Sequence, residues 1–205
     1  MNTMTLRSLA IFATVGLAAC SSAPTHYYTL VPTATDSTAR TNIAAPAFQF
    51  EMQPVRIPVQ VDQPQVVVRQ GSGALAILET SRWSAPLADE FHDALADQME
   101  LKLGVRELAG LPKNPGLPTL SLQTDVRRFD SLPGQYALID VVWSISLRGD
   151  GEKRRSLTCS SVVRQPAGPQ VQDLVSAHQQ AIGQLASIIA GAARSWSKQQ
   201  GTGCP

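Results

Sequence analysis

The chain has 205 residues, 43% hydrophobic and 16% charged, with seventeen Lys and Arg against sixteen Asp and Glu and a formal net charge of +1. This is enough apolar chain for one domain with a real core. The even balance supplies neither a basic stripe for phosphate contacts nor a polybasic cluster for anionic lipid, which argues against nucleic acid as a partner.

Arg7 and the free amine form a short positive region, and Ser8 to Ala19 (SLAIFATVGLAA) is an apolar run ending in small side chains. A run of this length is too short to span about 30 Å of hydrocarbon as a helix and reads as a cleaved export signal. Leu17-Ala18-Ala19-Cys20 resembles the bacterial lipobox. That resemblance implies cleavage before Cys20, diacylation of its thiol, and a further acyl chain, palmitate, on the new amine. Two or more chains give stable anchoring. The other reading is an incidental cysteine after a plain signal. Ser21, in place of an aspartate, implies sorting to the outer membrane. The expected division is therefore signal 1–19, lipidated tether 20–25 and domain 26–205. Loss of Arg7 with the signal leaves sixteen basic against sixteen acidic side chains.

His26 to Val31 (HYYTLV) is rich in strand formers and stops at Pro32, so a first strand is expected close behind the anchor. Thr33 to Ala47 is small, polar and aperiodic, as a surface loop is. Val55, Ile57, Val59 and Val61 alternate with Pro54, Arg56, Pro58 and Gln60, which predicts an edge strand ending near Pro58. QVVVR (65–69) and ALAIL (74–78) flank Gly71-Ser72-Gly73 as strand, turn and strand; the triplet lacks the further glycine and lysine of a phosphate-binding loop.

ETSRWSAPLADEF (79–91) follows, leading into Leu87, Phe91, Leu95 and Met99, with Ala94 and Leu101 or Lys102 beside them, spaced as one helical face. Ser84 is the expected cap, Pro86 suits the first turn, and Asp89 and Glu90 face the positive end of the helix dipole. Trp83, just outside the cap, is expected to wedge the corner between sheet and helix. Val105 to Leu108 predicts a brief strand before the Pro- and Gly-rich LAGLPKNPGLP. Leu120, Leu122 and Val126 share a strand face that continues to about Phe129. After Pro133-Gly134, alternation from Ala137 to Leu147 gives a second long strand and an antiparallel hairpin. Leu157, Cys159 and Val163 lie on a third strand, and Val171 to Trp196 carries one apolar helical stripe. Seven or eight strands and two principal helices, without repeats, describe one α/β unit.

Cys159 and Cys204 are free to pair in an oxidising periplasm; otherwise Cys159 is a buried thiol on the apolar side of its strand. The three histidines, His26, His92 and His178, lie on different elements, none at metal-ligand spacing with a cysteine or carboxylate. His178 sits in the apolar stripe as a core histidine. No GxSxG elbow exists. A periplasmic hydrolase would need a serine or cysteine nucleophile within reach of His92 or His178. The residues favour a non-catalytic binding or assembly role, without cofactor or metal.

The lipobox, Tyr27-Tyr28-Thr29-Leu30, Val61 to Arg69 (VDQPQVVVR), Arg82-Trp83 with Pro86-Leu87 opening a helix, and Val141-Val142-Trp143 in a long strand together resemble the PqiC-like ABC-transport auxiliary lipoproteins. That family usually has arginine where this chain has Gln63. The resemblance implies a three-layer αβα domain with a mixed sheet, held at the outer membrane and serving an MCE-type ABC system that moves phospholipid between the inner and outer membranes. It further implies an MCE protein as partner, permease and ATPase as separate chains, and assembly into rings. A rival reading is a freestanding envelope lipoprotein that binds a small apolar ligand in its own pocket.

Overall fold

The computed structural model describes residues 23–33, 47–149, 154–198 and 203–205. Among these, seven strands and two helices follow one another: β1 (His26–Tyr28), β2 (Gln49–Met52), β3 (Gln65–Gln70), β4 (Ala74–Trp83), α1 (Leu87–Leu103), β5 (Thr119–Leu132), β6 (Tyr136–Arg148), β7 (Arg155–Pro166) and α2 (Val171–Lys198). They form a single α/β unit with two mixed sheets. One has the order β1-β4-β3 and the other β2-β5-β6-β7. The β1–β4 and β2–β5 pairs are parallel, and the remaining pairs are antiparallel. No helix among the described residues is long and apolar enough to cross a membrane.

The β5–β6 hairpin is the spine. Gly134 takes a left-handed conformation (φ 72°) in its turn, which a side chain would oppose. On β6 every odd residue from Ala137 to Leu147 is buried, as the alternation predicts. On β5 the buried face changes parity. Leu120, Leu122, Thr124 and Val126 point inward, a bulge intervenes between Val126 and Arg128, and Phe129 and Ser131 then point inward instead. An extra residue in one strand rotates everything after it to the other face, so the bulge puts Phe129 in the core.

Phe129 is where the layers meet. Its ring stacks on His178 of α2 at 3.8 Å and takes edge contacts from Phe91 of α1 at 6.5 Å and Trp83 of β4 at 6.1 Å. One side chain projects from one face of a sheet, so both helices lie on that face of the four-stranded sheet. They pack on each other, and α2 also packs along β6 and β7. The opposite face carries hydroxyls and amides, and no described helix covers it. On the far side of β5, Asp130 takes Arg69 of β3 at 2.8 Å and the neighbouring Arg128, an ionic tie from one sheet to the other.

Two expected strands do not form. In the segment from Val55 to Val61 only Arg56 makes a bridge, its N–H donating to Thr124 and its carbonyl accepting from Val126. Pro54 and Pro58 have no N–H for a ladder, and the chain turns at Pro58, whose carbonyl accepts from Val61 and Asp62. Val55 and Val61 are still buried, while Val59 is exposed. Between Val105 and Leu108 there is only a single bridge, from Glu107 to Phe50. Its partner strand β2 was not legible in the sequence: four residues, three of them buried, are too few to show a period.

His178 is fully buried, with Nε2 2.9 Å from Ser131 Oγ. Burial lowers its pKa from 6.5 to about 3, against the opposing pull of the Asp130 carboxylate. The unfolded chain takes up this proton below about 6.5, while the fold refuses it until about 3. The stability contributed is therefore complete above the unfolded value and is lost as pH falls. Between pH 7 and pH 5 this group should cost about 2 kcal/mol in urea unfolding, and His178→Phe should flatten the dependence.

Candidate functional site

The corner between β4 and α1 is built around a buried carboxylate. Strand β4 runs through Trp83, Ser84 and Ala85 turn the chain, and Pro86 itself occupies the N-cap position, with ψ 137° and no side-chain cap. Its carbonyl accepts from the Asp89 and Glu90 amides at 2.9 Å each. Ser84 is therefore not the helix cap that its position predicts. The proline that follows two residues later takes that position, and the Ser84 hydroxyl donates to Glu90 Oε1 instead. Glu90 Oε2 accepts from the Thr29 hydroxyl at 2.7 Å and the Leu30 amide at 2.8 Å. The Ser84 amide also donates to the Tyr28 carbonyl at 2.8 Å. The chain leaving β1 is thus fastened to the first turn of α1. Gln179 of α2 adds a bond to the Thr29 carbonyl at 3.1 Å.

Trp83 is 5% exposed and its ring meets Phe129 at 78°, an edge-to-face contact. Pro86 is exposed. Position in the first turn gives Glu90 a place at the positive end of the helix dipole. Its deeper role depends on Thr29 and Leu30, some sixty residues earlier, and no local pattern reveals it.

The open face of the four-stranded sheet forms a groove of about 950 Å³. Ser121 lies opposite Ser146, Gln123 opposite Ser144, and Ser144 accepts from Thr158 at 3.2 Å, so hydroxyls and amides line its floor. One wall is the segment around Asn114. It is held by the buried Gln49 amide, which donates to the carbonyls of Asn114 and Leu117 and accepts from the Asn114 N–H. Glu51 pairs with Lys113 at 2.5 Å. Burial alone would raise the Glu51 pKa, but hydrogen bonds from Lys113 and Ser121 and the Lys113 charge outweigh it and hold the carboxyl below its ordinary value. Arg148 and Arg154 stand at the other end, with Arg154 donating to Ser146. The lining suits polar contact. It lacks the apolar wall that an acyl chain requires.

Cys159 and Cys204 are bonded, their Cα atoms 5.5 Å apart across a sequence separation of 45. The bridge fastens the chain end to β7 beside Trp143, which lies opposite Cys159. A loop of this length contributes about 2 to 4 kcal/mol. Cys159→Ser with Cys204→Ser should lower stability by that amount, and dithiothreitol should produce the same shift in the parent protein but none in the variant. Cys20 and Ser21 lie outside the described residues. The described residues contain no cluster of metal-ligating side chains, and the groove lining includes no histidine.

In fold, the chain is similar to a crystal structure of an uncharacterized protein, with a TM-score of 0.59 and 16% identity, covering 83% of this chain and 99% of that one. It is also similar to a protein of the DUF330 family from Xanthomonas campestris, with a TM-score of 0.56 and 20% identity, covering 87% of this chain and 99% of that one. Among curated proteins none matches it in sequence. Residues 28–190 match the model of the ABC-type transport auxiliary lipoprotein component, a span from the end of β1 to the last turns of α2. The chain belongs to that family of auxiliary transport lipoproteins.

Proposed function

We propose that this protein is a non-catalytic lipoprotein anchored to the outer membrane through Cys20, where it docks or completes a periplasm-spanning phospholipid conduit of an MCE-type ABC system. The observation that carries this reading is the family match starting at residue 28, only eight residues after the lipobox cysteine. An ABC system supplies its own ATPase and permease, so an auxiliary chain contributes position and contact surface. The polar groove, with hydroxyls and paired charges, supports a role in contact better than one in carrying an acyl chain.

Crosslinking in intact cells followed by mass spectrometry tests the role. Adducts to an MCE protein, together with a triacylated Cys20 in the outer-membrane fraction, are expected. A free Cys20 thiol on protein released with the soluble periplasm would refute the anchoring. Acylated protein that crosslinks to no transport component and keeps one tightly held lipid as a monomer would replace docking with the apolar-ligand reading.

A further inference from the structure

β1 runs parallel to β4, with His26 opposite Ser81 and Tyr28 opposite Trp83. The chain therefore arrives at β1 from the end where β4 begins. Cys20 precedes His26 by six residues, a reach of at most about 20 Å. Counting back along β4 from Ser81, Ile77 is four residues away and Leu75 six, at most roughly 13 and 20 Å at the rise of a strand, since an irregularity between Leu78 and Arg82 shortens the path. The stretch from Cys20 to His26 is thus long enough to reach the level of the β3–β4 hairpin tip and too short to pass far beyond it.

That tip has the chemistry of a surface meant to meet lipid. From Gln70 to Leu78 (QGSGALAIL) no side chain carries a charge, while Arg69 and Glu79 bracket the segment. Leu75 and Ile77, two residues apart and so on one face of the strand, are 43% and 49% exposed. Two neighbouring apolar side chains gain by leaving water for the acyl region, and the absence of charge in the segment spares it the cost of burying an ion there.

We infer that the β3–β4 hairpin tip, through Leu75 and Ile77, rests on the lipid surface to which Cys20 is tethered, giving the domain a fixed orientation. This rests on the acylation of Cys20 proposed above. The contact makes the tether and the hairpin two points of attachment. The ends of β1 and β4 at Tyr28 and Trp83 then face away from the membrane.

The test uses full-length acylated protein reconstituted into phosphatidylethanolamine and phosphatidylglycerol vesicles, with and without bromine on the acyl chains. Ile77→Trp places an indole at the tip. Val162→Trp places one on β7 of the other sheet, where Val162 is 64% exposed. The native Trp83, Trp143 and Trp196 are buried and give a constant background. Brominated lipid should remove most of the added emission in Ile77→Trp and none in Val162→Trp, with a blue shift only in the former. Absence of quenching at position 77, or equal quenching at both positions, overturns the contact. So does emission from Ile77→Trp that shifts with protein concentration in detergent, which would assign the tip to a second copy. The mass of the N-terminal peptide is measured on the same sample. An unmodified Cys20 overturns the anchoring and the contact together; acylated protein without quenching at position 77 overturns the contact alone.

Discussion

Glu90→Ala should cost about 3 kcal/mol in chemical unfolding, because it leaves the buried Leu30 amide without an acceptor and takes a charged partner from the Thr29 and Ser84 hydroxyls. The donors are the Thr29 hydroxyl, the Leu30 amide and the Ser84 hydroxyl, all of which converge on a carboxylate only 4% exposed. The loss is larger than that of a typical hydrogen bond because the acceptor is charged and the Leu30 amide has no water to turn to. Leu30 itself is completely buried. Glu90→Gln keeps the shape and one acceptor oxygen, and should cost less than half as much. The two variants separate packing from charge: equal losses would mean that side-chain volume, and not acceptance of these bonds, holds the corner. Amide exchange at Leu30 gives a local readout. It should accelerate in both variants, and more in the alanine variant.

Trp83→Ala should cost about 3 to 5 kcal/mol, the usual range for removing a buried aromatic ring from a core. The ring forms one side of the cluster in which Phe129 also meets Phe91 and His178. Its loss leaves a cavity where the three-stranded sheet meets the helices. Trp83→Phe should recover more than half of the loss, since an edge contact with Phe129 needs a ring and not an indole nitrogen. An unchanged melting temperature in Trp83→Ala would instead mean that this residue contributes nothing to the core. Because Trp83 and Glu90 meet at the same corner, a double variant should fall short of the sum of the two losses, and a thermodynamic cycle measures the coupling.

Both residues stand in the stretch ETSRWSAPLADEF, which has the acids and tryptophan of a functional site and neither nucleophile nor metal spacing. The structure gives the stretch a mechanical purpose. It joins β4, on which β1 is laid, to the first helix, so that β1, β4 and α1 are held as one body. Glu90 grips the backbone just after β1, and Trp83 seats β4, the strand on which β1 is laid.

Some of this was legible because its cause is local. The period of two from Ala137 to Leu147, the turn at Pro133-Gly134 and the helical stripe from Val171 to Trp196 each repeat often enough to outweigh their neighbours, and the structure forms all three. The two long strands, the two helices, the single α/β unit and the family resemblance follow from such repeats and from motif order. The prolines at 54 and 58 were equally local, yet the alternating valines around them overstated the strand: alternation reports burial, whereas a strand needs N–H donors facing a partner.

What the sequence determined by itself is therefore the set of elements whose side-chain period is long. Only the tertiary structure decided the rest. The β5 bulge sets which face Phe129 takes, Gln49 clamps a segment more than sixty residues away, and Glu90 ties the chain after β1 to the start of α1. The parallel register of β1 on β4 is of the same kind. Each of these turns on which distant backbone groups are left without a partner once the strands have paired. That information resides in the assembled fold, because a buried donor is satisfied by whatever acceptor lies nearest in space.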